Sequence, residues 1–173
     1  MALILLRHTT PDIEAGVCYG RTDLDVKASF QQEAVTAFDA LPRFEHIITS
    51  PLQRCRKLAD FIAKIVQRPV KVDTRVIEMD FGRWEGMAWS DIPRHEIDAW
   101  ANDFLYACPH GGESVAMLRD RTCEALRDIS GENKPTLIVT HSGVIRAALA
   151  KGDRSEDFNA SIDFGGHVTI SDL

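Results

Sequence analysis

The sequence predicts an α/β fold, a three-layer α/β/α sandwich whose central sheet is mostly parallel. Two apolar runs, residues 2–6 and 136–140, have the length and composition of strands that are buried on both faces. Between these runs, segments with helical spacing of apolar side chains alternate with shorter strand-like segments. The 173 residues contain no internal repeat and no low-complexity linker, so we expect residues 1–173 to form a single domain.

The first half of the chain is predicted to contain two helices and two short strands. Apolar side chains three and four positions apart indicate a helix over 29–41, with Ser29 as its N-cap. Ser50 and Pro51 are typical of an N-cap and a first helical position, so a second helix begins there and continues to Val66. Short apolar runs predict the strands, at 45–49 and 69–72.

The second half begins with an irregular segment. Residues 78–89 combine glycines with aromatic side chains and are predicted to form an ordered loop, in which Trp84 and Trp89 are interpreted as packing residues. The remaining elements are predicted from helical spacing and apolar runs: helices over 91–100, 115–129 and 143–149, the strand at 136–140, and a terminal strand or hairpin within 161–170. Strands and helices therefore alternate along the chain, as an α/β fold requires.

Charge and composition argue against several functional classes. The net charge of −6 disfavours general binding of nucleic acid or of a membrane surface, since both favour a basic face. The apolar runs are too short to span a bilayer, and no secretory leader pattern opens the chain, so we expect a cytoplasmic protein. The cysteines lie far apart without a C-x-x-C pair, which indicates reduced thiols: Cys18, Cys55, Cys108 and Cys123.

A histidine follows each of the two long apolar strands. Arg7 and His8 come at the end of the first strand, and His141 comes directly after the strand at 136–140. Because open α/β sheets bind ligands at the carboxyl ends of their parallel strands, we expect these side chains to meet at one rim. An imidazole can act there as a nucleophile or as a hydrogen-bond donor.

Arginines near the two histidines indicate an anionic ligand. The helix that begins at Ser50 presents Arg54 and Arg56 near its N-terminus, where backbone N–H groups already favour an anion. Guanidinium groups match phosphate oxygens and stay charged at physiological pH. Their charge should lower the pKa of His8 from its reference of about 6.5, which keeps the imidazole neutral. A phosphoryl group fits this set better than a carboxylate or a sugar.

A proton donor for the leaving oxygen is expected in the loop after the third strand. Glu78, Asp80 and Glu85 are the candidates, because a carboxyl group beside a phosphate dianion is driven towards its protonated form. The residue types alone do not rank the three. A metallohydrolase, with a cation held by His8, His141, Asp80 and another carboxylate, is the alternative chemistry, although the sequence lacks an H-x-H or H-E-x-x-H pattern.

Five motifs in order resemble the histidine phosphatase superfamily, also called phosphoglycerate mutase-like, and the resemblance covers nearly the whole chain. They are Leu6-Arg7-His8, the run from Ser50 to Cys55, the run from Glu78 to Gly86, Gly112-Glu113-Ser114 and the run from Thr140 to Arg146. The resemblance implies that His8 is the nucleophile, which forms a phosphohistidine, and that Glu78 is the proton donor. Three residues are implied to hold the phosphoryl oxygens: Arg7, Arg54 and His141. No metal and no cofactor is implied.

The segment from Cys18 to Asp23, together with the shortness of the chain, is most similar to the alpha-ribazole phosphatase branch. This resemblance implies a metal-independent phosphomonoesterase whose partner is a small-molecule phosphomonoester, alpha-ribazole 5'-phosphate being one candidate. Phosphoglycerate mutase-type transfer and an idle module that only binds a phosphorylated ligand are the alternatives. A homodimer is compatible with the sequence. We expect the substrate pocket to include four residues of the segment: Tyr19, Gly20, Arg21 and Thr22.

The sequence departs from the superfamily pattern beside both histidines. Thr9 follows His8 where glycine is usual, and Ser142 follows His141 where glycine is frequent. A Cβ and a hydroxyl restrict the backbone after His8. We expect the hydroxyl of Thr9, or else that of Thr10, to supply a phosphate contact; an altered pocket is the alternative.

Overall fold

A five-stranded sheet forms the centre of the computed structural model, which describes residues 2–171. In chain order its strands are β1 (Leu3–Arg7), β2 (His46–Thr49), β3 (Val70–Val72), β4 (Thr136–Thr140) and β5 (His167–Ile170). They lie in the order β3-β2-β4-β1-β5. Within the described residues only β5 runs antiparallel to its neighbour, so the prediction of a mostly parallel sheet is confirmed.

Helices pack on both faces of the sheet. They are α1 (Phe30–Asp39), α2 (Gln53–Val66), α3 (Arg94–Asn102), α4 (Val115–Gly131) and α5 (Ser142–Leu149). Short 3₁₀ turns occupy Thr74–Val76, Gly82–Trp84, Trp89–Asp91 and Ser155–Phe158. No helix in residues 2–171 is both long enough and apolar enough to cross a membrane.

The side chains of β1 alternate between two apolar cores, one on each face of the sheet. Leu3 and Leu5 belong to the core that includes α4 and α5, whereas Ile4 and Leu6 belong to the core that includes α1 and α2. All four are at most 1% exposed. A strand that is covered on both faces needs an uninterrupted apolar run. The predicted three-layer α/β/α sandwich is therefore confirmed.

The start of α1 differs slightly from the prediction. The helix begins at Phe30, and the Ser29 side chain makes no capping hydrogen bond to the backbone. Its hydroxyl lies 2.6 Å from Glu33 Oε1 and donates to that carboxylate. Because this side-chain partner occupies the hydroxyl, Ser29 precedes the helix without capping it.

The start of α2 also lies further along the chain than predicted. The helix begins at Gln53, so Ser50 and Pro51 are not its N-cap and first residue. The Ser50 hydroxyl is 2.7 Å from His141 Nε2 at the end of β4. The Ser50 hydroxyl therefore contacts His141, which is distant in sequence, and does not cap the helix.

The last predicted element is a single strand preceded by a turn. Gly165 has a φ of 72°, in the region that favours glycine. Its N–H is shared between the carbonyls of Arg7 (3.2 Å) and His8 (3.1 Å). The turn before β5 is thereby fixed against the carboxyl end of β1.

The segment between β3 and α4 forms a small separate core beside the sheet. Trp84 is fully buried and packs with Cys18 and Ile92, which agrees with its interpretation as a packing residue. Gly82 has a φ of 50°, and a Cβ there would lie 2.3 Å from the carbonyl oxygen of His110. Only glycine fits this approach of two backbone segments.

Arg121 of α4 ties this segment to the sandwich. Its guanidinium forms a bidentate pair with Glu113, with Nε 2.7 Å from Oε1 and Nη2 2.8 Å from Oε2. It also donates to the backbone carbonyls of Arg75, Ile77 and Glu78 at 2.6 to 3.1 Å. Both charged side chains are mostly buried. Arg121 therefore fixes the backbone that leads to Glu78.

Replacing Arg121 by leucine should destabilise the protein strongly. The change removes these hydrogen bonds and leaves the buried Glu113 carboxylate with the more distant Arg21 guanidinium, at 3.7 Å, as its charged partner within residues 2–171. Removing the close partner of a buried ion pair costs about 3–5 kcal/mol. We expect that decrease in the free energy of unfolding, measured by urea denaturation. Arg121→Lys keeps the charge without the bidentate geometry and should give an intermediate value. A decrease below about 1 kcal/mol for the leucine variant would contradict this role.

Candidate active site

The register of β1 against β4 brings the two predicted histidines together. Arg7 lies opposite Thr140, and the next residues are His8 and His141. The backbone N–H of His8 donates to the carbonyl of Thr140 at 3.0 Å. The two imidazole rings meet edge to face, with centroids 5.2 Å apart. His8 is 2% exposed and His141 is fully buried.

The hydrogen bonds of His8 define which ring nitrogen is free. Nδ1 lies 2.7 Å from the carbonyl oxygen of Thr9, and because a carbonyl can only accept, Nδ1 carries the proton. Nε2 then has a lone pair, which accepts from Arg54 Nε at 3.3 Å. Burial, Arg54 and Arg7 lower the pKa of His8 to about 3, against the opposing effect of the Thr9 carbonyl. The ring is neutral at physiological pH.

Arg54 is the arginine of α2 that reaches the histidines, whereas Arg56 is exposed. Arg54 is completely buried. Its Nη1 donates to the carbonyl of Thr22 at 2.8 Å and its Nη2 to the carbonyl of Gly20 at 2.6 Å. The guanidinium therefore joins His8 to the loop that follows β1.

Arg7 borders the same space from the end of β1. Its Nη1 donates to the carbonyl of Ile162 at 2.6 Å, and its guanidinium lies over the Phe164 ring, 3.8 Å from the centroid. Within residues 2–171, neither Arg7 nor Arg54 forms an ion pair with a carboxylate. Two buried or half-buried cations without anionic partners make this an anion-binding site.

His141 is held by one side chain of the segment before α2 and by one side chain of the first turn of α2. Its Nε2 lies 2.7 Å from Ser50 Oγ and 3.4 Å from Cys55 Sγ. Burial lowers its pKa well below the usual value, and His8 and Arg54 add to this effect. His141 is therefore a second neutral imidazole beside the arginines.

Of the three candidate carboxyl groups, Glu78 is the one that reaches the site. Its Oε2 accepts from the backbone N–H of Gly143 at 3.0 Å, and its Oε1 accepts from that of Met79 at 2.9 Å. Asp80 instead accepts from the N–H of Gly82. The geometry thus selects Glu78 over Asp80.

Glu85 has a structural role. Its carboxylate accepts from the backbone N–H groups of Arg21, Thr22 and Phe81 and from the Thr22 hydroxyl. These contacts fix the loop whose carbonyls bind Arg54. Glu85 is thereby directed away from the histidines and into the loop.

A cavity of about 270 Å³ opens in front of His8. Its lining combines charged groups with a large apolar surface: Arg7, His8, Val17, Tyr19, Glu78, Met79, Phe81, Trp89, Trp100, Phe104, Val115, Leu118, Ser142, Gly143, Arg146 and Phe158. Arg54 and His141 contact His8 from the buried side. The volume is slightly below the roughly 300 Å³ at which typical ligand pockets begin, which suits a small ligand.

The structure brings one of the four residues predicted for the substrate pocket to this cavity. Tyr19 lines the cavity, but Gly20, Arg21 and Thr22 do not. Gly20 and Thr22 contribute carbonyls to Arg54, and Arg21 turns outwards to carboxylates at 3.7 Å, one of which is Asp80. These three residues support the site through their backbone or lie outside it.

Thr9 does not reach the cavity either. It is completely buried, and its hydroxyl has no hydrogen-bond partner within residues 2–171. Thr10 is engaged elsewhere, since its N–H and its hydroxyl both donate to Glu33. Neither threonine lines the cavity, and Thr9 contributes its carbonyl to His8 Nδ1.

Sequence reasoning missed several residues of the site. Ser50 was interpreted as a helix cap, and Cys55 as an ordinary buried thiol. Arg146 lines the cavity and adds positive charge beside Arg7; burial lowers the pKa of Arg7, and the charge of Arg146 adds to this effect. The available signal for Arg146 is its position five residues after His141, in the last turn of α5.

Among residues 2–171, no three side chains of His, Cys, Asp or Glu are grouped so that they could hold a metal ion. His8 and His141 are near each other, but the partners of their nitrogens are a backbone carbonyl, Arg54, Ser50 and a thiol. This donor set is unlike a metal site, which draws on several imidazoles, thiolates or carboxylates.

Known proteins are similar to this chain in sequence and in fold. Residues 3–160 match the family model of the histidine phosphatase superfamily (branch 1). The chain is 30% identical over 164 residues to glucosyl-3-phosphoglycerate phosphatase from Mycolicibacterium vanbaalenii, which covers 86% of this chain and 72% of that protein. It is 30% identical over 156 residues to metal-independent phosphoserine phosphatase from Arabidopsis thaliana, which covers 84% and 66%, respectively.

A solved structure agrees with these sequence relatives. The alpha-ribazole phosphatase from Shigella flexneri matches with a TM-score of 0.86 and 25% identity, over 99% of this chain and 90% of that chain. The family match spans most of the chain, and the relatives are phosphatases. The chain therefore belongs to branch 1 of the histidine phosphatase superfamily and is a phosphoric monoester hydrolase.

Proposed function

We propose that this hydrolase transfers a phosphoryl group to His8 Nε2 and then to water, without a metal ion. The observation that carries the proposal is the state of His8. Its ring is buried and neutral, Nδ1 is bound to the Thr9 carbonyl, and the lone pair of Nε2 lies 3.3 Å from Arg54 Nε. Nε2 thus carries the lone pair that can attack phosphorus once Arg54 Nε donates to a phosphoryl oxygen in place of this nitrogen.

In the first step the Nε2 lone pair attacks phosphorus, and the bond from phosphorus to the alcohol oxygen breaks. Arg54 Nε is close enough to Nε2 to donate to an oxygen of the transferred group. Arg7, at the cavity wall, and His141, on the buried side, complete the set of donors. The alcohol leaves with a proton from Glu78, which becomes a carboxylate.

In the second step Glu78 takes a proton from water, and the water oxygen attacks phosphorus. The bond between phosphorus and Nε2 breaks, its electron pair returns to the nitrogen, and inorganic phosphate leaves. The N–H groups of Gly143 and Met79 keep the carboxylate in place. Each carboxylate oxygen has a second lone pair for the exchanged proton.

Alpha-ribazole 5'-phosphate is our first candidate substrate. The segment from Cys18 to Asp23 and the Shigella flexneri structure support it. A screen of alpha-ribazole 5'-phosphate, glucosyl-3-phosphoglycerate, O-phosphoserine and 3-phosphoglycerate tests the choice. The highest kcat/KM on the first compound supports it, and a higher value on another replaces it. Isomerisation of 3-phosphoglycerate would instead indicate mutase-type transfer.

Replacing His8 should abolish turnover. An Asn amide can still donate to the Thr9 carbonyl, but it has no nucleophilic nitrogen, so we expect His8→Asn to lose activity on p-nitrophenyl phosphate by on the order of 10³-fold or more. The wild-type enzyme should stay active in excess chelator. It should also yield an acid-labile phosphoenzyme after rapid quenching. Full activity of the variant, or loss of wild-type activity in chelator, would refute the proposed route.

Replacing Glu78 should affect poor leaving groups most. An alkoxide needs a proton to depart, whereas nitrophenolate hardly does. Glu78→Gln should therefore lower kcat for ethyl phosphate by roughly 10²–10⁴-fold and for p-nitrophenyl phosphate much less. Asp80→Asn is the matched control, because Asp80 does not line the cavity. Equal effects of the two variants would argue against Glu78 as the donor.

The variant Gly143→Ala tests the role of Glu78 as proton donor without changing the carboxyl group itself. An added Cβ would lie 2.2 Å from Glu78 Oε1, so the Glu78 side chain must move out of position. The clash is with the end of a side chain, and the fold should tolerate it. We expect kcat for ethyl phosphate to fall as in Glu78→Gln while the circular dichroism spectrum is unchanged; an unaffected kcat would show that Glu78 needs no such positioning.

The lowered pKa of His8 should make the protein less stable in acid. An unfolded chain protonates this histidine below about pH 6.5, but the folded chain does so only near its pKa of about 3, so folding loses free energy as the pH falls. Between pH 7 and pH 5, His8→Asn should lose less stability than the wild type, by on the order of 2 kcal/mol. Urea unfolding at both pH values measures this, and parallel losses would refute the neutral state.

A further inference from the structure

The cavity has a continuous aromatic side. We call it the aromatic wall, formed by Phe81, Trp89, Trp100, Phe104 and Phe158. Phe81 meets both indoles edge to face, with ring centroids 5.7 Å from Trp89 and 6.3 Å from Trp100. The indoles are nearly parallel, with centroids 6.5 Å apart. Phe104 packs against Trp100 and extends the contact to Phe158.

Most of the aromatic wall is tightly packed, but one member is open to solvent. Trp89 is 39% exposed and is among the large apolar side chains with the most exposed surface, whereas Phe158 is 6% exposed. A partly exposed tryptophan inside a concave, largely apolar cavity leaves favourable contact area uncovered. Trp89 also lines the cavity, so part of this side chain borders space that a substrate can enter.

Besides Arg7, His8 and Glu78, the cavity lining has three polar side chains, those of Tyr19, Ser142 and Arg146, and none of these three is an anion that could pair with a cationic alcohol. Glu78 is the one carboxylate among the lining residues of this described cavity, and both of its oxygens already accept backbone N–H groups. The lining includes no asparagine, glutamine, aspartate or lysine. An α-ammonium group needs a carboxylate partner when it leaves water. The lining therefore disfavours an alcohol that carries an ammonium group, such as serine.

We propose that the aromatic wall binds an uncharged planar ring in the alcohol part of the substrate and thereby selects aryl-bearing phosphomonoesters. The inference rests on the proposed function, because a phosphoryl group at His8 places the alcohol in this cavity. The ring buries apolar area on one side of the cavity, while the charged phosphoryl group stays between Arg7 and Arg54. Trp89 is the specificity-determining residue that the ring covers.

Two alkyl phosphates separate ring binding from chemistry. Ethyl phosphate and 2-phenylethyl phosphate both release a primary alcohol, so their leaving groups make the same demand on Glu78. Burial of the phenyl ring should raise kcat/KM of the second over the first by roughly 10- to 100-fold. O-phosphoserine, which carries charge in place of the ring, should be no better than ethyl phosphate.

Variants of Trp89 test where the ring binds. In Trp89→Ala the ratio of the two kcat/KM values should fall towards one, and Trp89→Phe should retain most of it. Tyr106→Ala is the matched control, since Tyr106 is an aromatic residue that is 66% exposed and does not line the cavity. Its ratio should equal that of the wild type.

The outcomes distinguish this proposal from the proposed function. If both alkyl phosphates are hydrolysed through His8 with equal kcat/KM, if O-phosphoserine is the better substrate, or if Trp89→Ala leaves the ratio unchanged, the role of the aromatic wall is wrong and the route through His8 stands. If His8→Asn hydrolyses both esters at the wild-type rate, both proposals fail.

Discussion

The parallel pairing of β1 with β4 is the constraint on which the site depends. Arg7 is opposite Thr140, and this register brings the next residue of each strand, His8 and His141, to the same level of the sheet. A shift of one residue would turn one of the two imidazoles towards the opposite face. The other charged residues of the site are placed around the strand ends: Arg54 by α2, Glu78 by its loop and Arg146 by α5.

The electrostatic arrangement of the site is unusual for a protein interior. Arg54 is fully buried and has no carboxylate partner among residues 2–171, and the two imidazoles beside it are kept neutral by burial and by that same charge. Backbone carbonyls of Gly20 and Thr22 offset part of the cost of burying the cation. The remaining positive potential makes a dianion a favourable occupant, and the neutral imidazole that it maintains suits the nucleophilic role proposed for His8.

The sequence predicted the parts of the fold and the site that depend on local patterns. The strands that precede His8 and His141 are apolar throughout because both faces of the sheet are covered. Long-range contacts decided the rest. Glu78 is distinguished from Asp80 by the N–H of Gly143, 65 residues away. The loop at 20–22 acts through backbone carbonyls, which every residue type possesses, so no sequence pattern reveals their role. Trp84 and Trp89 lie in the same segment rich in glycine and aromatic residues, but Trp84 is fully buried whereas Trp89 is 39% exposed.

The sheet order also determines when the site can form. β1 begins at residue 3, yet its neighbours are β4, which begins at residue 136, and β5, which begins at residue 167. Contacts between residues that are far apart in sequence tend to form late in folding. The helices α1 and α2 and the pairing of β2 with β3 join residues that are closer in sequence. The strand that precedes His8 is thus synthesised well before the strands that hold it in place. A chain in which β4 has not yet paired with β1 lacks the arrangement of His8 and His141 on which the site depends.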